Sequence, residues 1–212
     1  LNESLSGEEP LEIGSQEWNA NGVSIDSRTV QPGDLFIAIV GPKENGHKYV
    51  SSALDRGAAG VLVSNIPNGL PKENIVLVSD TLKSFYKLAE AARKRSKAKV
   101  VAVTGSVGKT GTKEALRSAL ARDRSTHATT GNQNNEWGVP LSLARLPTEA
   151  KYAVFEIGMR RAGDIAPLSE LVRPDIAIIT TVEPAHLEFF ESVNGIADAK
   201  AEIFSGIQSK GI

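Results

Sequence analysis

The hydrophobic and polar positions of this 212-residue chain follow two regimes. In the first, Gly22–Asp26 alternates apolar and polar residues as a half-buried strand does. Asp34–Val40, apolar throughout from Leu35, is expected to be a buried strand, covered on both faces. A helix is expected around His47–Arg56, followed by strands at Gly60–Val63 and Ile75–Val78. Asp80 is placed to cap a helix with an apolar stripe of Leu82, Phe85 or Tyr86, Ala89 and Ala92. From Lys97 onward strands alternate with helices. The strands are expected at 99–104, 125–129, 152–158 and 175–181, and the helices near 109–121, 138–145 and 163–172. A last helix runs from Val193 to Ser205. Such alternation is the pattern of a doubly wound, mostly parallel sheet. The chain therefore reads as a small α/β domain over residues 1–96 and a doubly wound α/β domain over residues 97–212. Four strands are few for an open sheet of this kind. The chain stops at Ile212 where another strand would follow, so the second domain is expected to be incomplete, and with its leucine start the chain is expected to be a fragment of a longer protein.

One of the strand-to-helix transitions carries chemistry. Val100–Thr104 is apolar and rich in β-branched residues. It runs into Gly105, Ser106, Val107, Gly108, Lys109, Thr110 and Gly111, and a helical pattern follows at once. This order builds a polyphosphate cradle: glycines let backbone N–H groups approach, and a helix N-terminus adds its positive end. The Lys109 ammonium reaches the outer phosphates, and the Thr110 hydroxyl suits Mg²⁺. The general pattern asks for glycine where Val103 stands, so the narrower Thr-Gly-Ser-x-Gly-Lys-Thr form carries the reading.

Three further strand or helix positions converge on the same edge, because ligands of open α/β sheets sit outside the carboxyl ends of the strands. Glu156 lies on the face of its strand shared with Tyr152 and Val154. A carboxylate there needs a partner or a metal, so Glu156 is a candidate Mg²⁺ ligand beside Thr110, the other reading being an ordinary salt bridge. His186 follows the strand at 175–181 on the edge loop and is a second candidate. Lys200 falls in the stripe Val193, Ile196, Lys200, Ile203 and Ile207, with Asp198, Glu202 and Ser205 expected on the wet side. A buried ammonium must snorkel, find a partner or lose its charge. A neutral amine there could take up CO₂ and become a carbamate. The run Gly131-Asn132-Gln133-Asn134-Asn135 reads equally as a turn former and as a set of neutral donors for an anionic substrate.

Composition narrows the function classes. A formal charge of −1 gives no field for nucleic acid or an anionic membrane. The cations at Arg93, Lys94, Arg95, Lys97 and Lys99 read as a solvated helix end and linker. Without cysteine there is no disulfide or thiolate chemistry. The first ten residues do not form a signal-peptide pattern, and no apolar run approaches the ~20 residues that span a bilayer. The expected compartment is the cytoplasm.

Taken together, five ordered segments resemble the Mur ligases. They are Thr104–Glu114, Gly131–Pro140, Phe155–Met159, Pro184–Glu188 and Ala199–Phe204. In the first ninety or so residues, Asp26-Ser27-Arg28, Gly33–Phe36 and Asn45-Gly46-His47 resemble the domain that holds the UDP end of the substrate. Within the family, Ser106-Val107 and Ala185-His186-Leu187-Glu188 fit the branch that adds D-alanyl-D-alanine better than the branch adding the third amino acid. The resemblance implies an ATP- and Mg²⁺-dependent amide ligase, monomeric, acting through an acyl phosphate on UDP-N-acetylmuramoyl-peptide and D-alanyl-D-alanine. It implies catalytic roles for Lys109, His186 and Lys200, the last as the carbamylated lysine of the family. Thr110 and Glu156 would hold one Mg²⁺, His186 and Lys200 a second. Ser27, Arg28 and His47 would grip the uridine diphosphate, and Asn134 and Asn135 the substrate. The family also has a longer central domain and a third domain, so this chain alone is expected to be inactive. The competing readings are the sibling that adds the third amino acid, a P-loop kinase, and a non-catalytic binding module. A GTPase is disfavoured because no Asn-Lys-x-Asp pattern occurs.

Overall fold

A computed structural model describes residues 12–13, 18–42, 44–69, 72–184, 189–190 and 192–212. The chain divides into two compact units, Leu1–Ala91 and Ala92–Ile212. The division falls inside the helix α2 (Thr81–Arg95), a turn ahead of the expected boundary.

The first unit is built on a five-stranded sheet in the order β1-β5-β4-β3-β2. Its strands are β1 (Glu12–Ile13), β2 (Gly22–Ser24), β3 (Asp34–Ile37), β4 (Gly60–Val63) and β5 (Ile75–Leu77). All neighbours run parallel except β1, which pairs antiparallel with β5 and which the hydrophobic pattern did not reveal. The expected helix at 47–56 is a 3-10 turn, Gly46–Tyr49, leading into α1 (Val50–Asp55). Phe36, Ala38, Val61, Val63 and Ile75 pack with Val50 and Ala53 of α1 on one face. Leu35, Ile37, Leu62 and Val76 alternate to the other and are equally buried. β3 is shorter than its apolar run because the Ile39 N–H turns back onto the Ile37 carbonyl (3.0 Å).

The second unit is a four-stranded, all-parallel sheet in the order β7-β8-β6-β9. The strands are β6 (Lys99–Thr104), β7 (Thr126–Ala128), β8 (Tyr152–Glu156) and β9 (Ile176–Ile179). The first strand of the unit lies between the last two. The carboxyl end of β6 is therefore the place where strand order reverses, which is where α/β sheets open a crevice. Four helices connect or follow the strands: α3 (Lys109–Leu120), α4 (Gly138–Ala144), α5 (Ile165–Val172) and α6 (Val193–Ala201). Val101, Val103 and Val154 meet Leu116 and Leu120 of α3 on one face. Val100, Ala102, Ala153 and Phe155 alternate to the other face and are fully buried. Each such large side chain contributes roughly 1.5–3 kcal/mol by leaving water. Ile212 lies beside β9, donating to the Asp175 carbonyl (3.0 Å) and accepting from Ala177 N–H (2.8 Å).

The last helix is shorter than expected. It gives way to a 3-10 segment at Glu202–Gly206 because two side chains pull that backbone onto α5. Ser169 Oγ donates to the Ile203 carbonyl (2.5 Å) and accepts from Gly206 N–H (3.2 Å). The Glu202 carboxylate accepts from the backbone of Gly163 (2.6 Å), Ile165 (3.1 Å) and Ala166 (3.1 Å). Glu202, expected on the wet side, is thus the N-terminal cap of α5. Val193, expected in the buried stripe, is 41% exposed.

Candidate active site

The turn between β6 and α3 has the shape its glycines require. Gly105 has φ 150°, and a Cβ there would run into Thr180 Oγ1. Gly108 has φ 85°, a left-handed position that sets the chain directly into α3. The residues after β9 fasten this turn from the side. Ser106 N–H donates to the Thr181 carbonyl (2.9 Å), and Val107 N–H donates to Thr181 Oγ1 (3.1 Å). Thr180 Oγ1 donates to the Val107 carbonyl (2.6 Å), and Ser106 Oγ both donates to the Glu183 carbonyl (3.0 Å) and accepts from its N–H (2.9 Å). Lys109 curls over the turn, its Nζ donating to the carbonyls of Gly105 (2.6 Å) and Ser106 (3.2 Å). The unpaired N–H groups of the first turn of α3 add to that positive charge, so the turn is built to receive phosphate.

Glu156 closes the arrangement. Register places it beside Val103, at the end of β8, where it is 1% exposed. Thr110 Oγ1 donates to Glu156 Oε2 (2.9 Å), and Asn134 Nδ2 donates to Glu156 Oε1 (2.8 Å). No salt bridge to Glu156 occurs among the described residues; its partners are a hydroxyl and an amide. The Thr110 hydroxyl and the Glu156 carboxylate are hard oxygen donors of the kind that suits Mg²⁺, which keeps several waters and takes one or two protein ligands beside phosphate oxygens.

Lys200 is 2% exposed, and its Nζ makes no hydrogen bond among the described residues. Burial, reinforced by the positive charge of Lys109, brings its pKa down to about 8. The expected stripe therefore delivers a buried, easily neutralised amine near Lys109. His186 and its neighbours Ala185, Leu187 and Glu188 lie outside the described residues.

In the first unit a cleft of about 660 Å³ opens at the carboxyl ends of the parallel strands, lined in part by Ser27, Arg28, Glu44 and Tyr49. Arg28 is held as a fork on Asp26 (2.7–3.2 Å), and this lowers the pKa of the Asp26 carboxyl. His47 behaves differently from the expectation. Its Nδ1 bonds Asn45 Oδ1 (2.8 Å) and its Nε2 accepts from Ser64 N–H (2.9 Å). Burial lowers its pKa, so the neutral ring braces the Asn45–Gly46 turn from within. Asn135 likewise uses Oδ1 to hold the start of α4, accepting from Trp137 and Gly138 N–H (3.1 and 2.9 Å).

Several residues of the second unit went unread in the sequence. Lys113 is fully buried, with its Nζ 2.8 Å from the Thr129 carbonyl, 3.4 Å from the Gly131 carbonyl and 3.0 Å from Glu114 Oε1. The signal was present: Lys109, Lys113, Leu116 and Leu120 fall at i, i+4, i+7 and i+11 on one face of α3. The Thr180–Thr181 fastening carries no such pattern, since hydroxyls in a loop are ordinary turn residues.

Family comparison settles what this architecture belongs to. The model of the Mur ligase middle domain matches residues 103–212, more than half of the chain. The chain belongs to the Mur ligase family. A second Mur ligase model, that of the family's catalytic domain, matches residues 19–106. A UDP-N-acetylmuramoyl-tripeptide–D-alanyl-D-alanine ligase from Rickettsia prowazekii is 43% identical over 93% of this chain and 44% of its own length. A crystal structure of MurF from Acinetobacter baumannii superimposes with a TM-score of 0.81 at 36% identity, covering 91% of this chain and 42% of that one. MurF ligase from Thermotoga maritima in complex with ADP gives 0.76 at 35% identity, covering 90% of this chain and 44% of that one. This Mur ligase chain thus spans less than half the length of the relatives it matches.

Proposed function

We propose that the protein to which this chain belongs is an ATP-dependent amide ligase joining D-alanyl-D-alanine to UDP-N-acetylmuramoyl-tripeptide, in the cytoplasmic assembly of peptidoglycan precursors. The second unit handles ATP, and the first grips the uridine diphosphate end through Ser27 and Arg28. The observation that carries this reading is the contact of Thr110 and Asn134 with Glu156 beside a phosphate-shaped turn, in a chain 43% identical to a ligase of that name.

A carboxylate cannot acylate an amine directly, because oxide is a poor leaving group. Transfer of the γ-phosphoryl group of ATP to the carboxylate oxygen gives an acyl phosphate and ADP. The dipeptide amine then attacks the acyl carbon, and the tetrahedral intermediate collapses with loss of phosphate and a proton. Two anions must approach in the first step, so positive charge has to be fixed in advance. Lys109 and the N-terminus of α3 supply it at the outer phosphates. Thr110 and Glu156 would hold Mg²⁺, which neutralises phosphate charge when bound. Lys200, when neutral, adds to CO₂ with loss of a proton to form a carbamate, a carboxylate on a long arm that, with His186, would serve a second Mg²⁺. Asn134 and the remaining amide of Asn135 are candidate substrate contacts.

The test is ATP turnover by the full-length protein. Phosphate release should require both the UDP-muramoyl-tripeptide and the dipeptide, and Lys109→Ala should reduce it at least about a hundredfold. A kinase would release ADP with a single acceptor and yield a phosphorylated product, so turnover without the dipeptide would overturn the ligase reading.

A further inference from the structure

Burying an ammonium on the sheet-facing stripe of α3 is costly unless its protons find acceptors, and an apolar residue would pack there without that cost. Lys113 nevertheless stands one turn beyond Lys109 with no exposed surface, and its Nζ contacts the Thr129 carbonyl, the Gly131 carbonyl and Glu114 Oε1. Two of these acceptors are backbone atoms at the entry of the loop that carries Asn134. That loop is tied at further points. Thr129 Oγ1 accepts from Glu156 N–H (3.0 Å), and the Asn134 carbonyl accepts from Gly158 N–H (2.7 Å). A Cβ at Gly158 would press on the Asn134 side chain at 2.9 Å, so the strand end is shaped to the loop. Asn134 Nδ2 then fixes Glu156 Oε1 while Thr110 fixes Oε2.

We infer that Lys113 is a positioning residue for the carboxylate of Glu156: from α3 it anchors the loop at Thr129–Gly131, so that Asn134 holds Glu156 square to Thr110. One helix then presents three successive parts of the site. Lys109 meets phosphate, Thr110 meets the carboxylate, and Lys113 sets the loop that aims that carboxylate. The inference rests on the reading of Glu156 as a ligand of the nucleotide's Mg²⁺, and it concerns only how that ligand is aimed.

The experiment compares wild-type full-length protein with Lys113→Met, Asn134→Ala and the double variant. Hydrogen exchange in metal-free protein is read first: in Lys113→Met the amides of Glu156 and Gly158 should exchange about tenfold faster while those of β6 are unchanged. ADP binding is then measured by calorimetry with and without Mg²⁺. Affinity without Mg²⁺ should be unchanged, and the enhancement by Mg²⁺ should fall about tenfold or more, the usual effect of removing a group that orients a metal ligand. The double variant should be little worse than either single one, since both act through the same arm. Independent, multiplying losses would overturn the proposal, as would unchanged exchange at Glu156 and Gly158. Should Lys113→Met not fold, Lys113→Gln, which keeps one donor, is expected to give an intermediate Mg²⁺ effect, and an unaltered one would refute it. If Mg²⁺ fails to enhance ADP binding in the wild type, it is the nucleotide reading that falls, whatever the exchange data show.

Discussion

Lys200 offers the most quantitative prediction, because the same burial that depresses its proton affinity should appear in two separate measurements. In the unfolded chain its amine titrates near the ordinary lysine value of 10.5, and in the folded chain at about 8. Between those limits the unfolded chain holds a proton that the folded chain has released, so stability rises as pH climbs through that window and is flat below it. The full difference corresponds to about 3 kcal/mol. Lys200→Met removes the buried charge. The variant should be more stable than wild type by up to about 3 kcal/mol at neutral pH, with the gap closing above about pH 10. Urea denaturation across that range, at fixed ionic strength, reads the difference directly. The second measurement concerns chemistry. At about pH 7.5 an amine of pKa about 8 is roughly one-quarter neutral, against about a thousandth for one at 10.5, so its attack on CO₂ is favoured a few hundredfold over surface lysines. With ¹³C-bicarbonate, a carbamate resonance should appear in the wild type and vanish in Lys200→Met. A stability gap independent of pH, or a carbamate signal that survives the substitution, would refute the reasoning.

Three other outcomes follow from contacts described above. Glu156→Gln keeps the shape but removes the charge beside Thr110, so Mg²⁺-dependent ADP affinity should fall by about ten- to a hundredfold with little change in thermal midpoint; an unchanged Mg²⁺ dependence would argue against Glu156 as a ligand. Glu202→Ala deprives two N–H groups of α5 and that of Gly163 just before it of their acceptor and should cost about 2 kcal/mol in chemical denaturation, with Glu202→Gln losing less. A neutral effect would mean water replaces the cap. Gly105→Ala forces a Cβ against Thr180, and nucleotide binding should be lost in this variant even where circular dichroism reports an intact fold; restoration by Thr180→Ala would locate the clash.

The legible parts of this molecule were those governed by a strong local period or a tight chemical pattern. The alternation of strand and helix after Lys97 predicted every strand and helix of the second unit within a few residues, because parallel strands buried on both faces leave little ambiguity. The Gly105–Thr110 turn was readable for the same reason, as few sequences can place backbone amides so close together. Glu156 and Lys200 were found as charges inside apolar stripes, and both are buried. What escaped is held by contacts distant in sequence. Glu202 meets α5 from nearly forty residues away, and the pattern gave it the look of a wet-side acid. Lys113 was passed over because a lysine in a helix following a P-loop-like turn is ordinary until its acceptors are known. His47 was assigned outward to a substrate, whereas Ser64 and Asn45 hold it inward. β1, two residues long and antiparallel, is too short to leave any period at all.

The cap that Glu202 forms on α5 also makes the stretch between β8 and α5 mechanically answerable to the amine two residues upstream of it. Lengthening or trimming residues 157–164 would slide the start of α5, drag the carboxylate with it and rotate the helix that carries Lys200. Loop grafts between relatives at this point should therefore be designed to preserve the Gly163-to-Glu202 hydrogen bond, since a graft that kept every polar residue of the pocket but broke that tie would leave the amine aimed elsewhere.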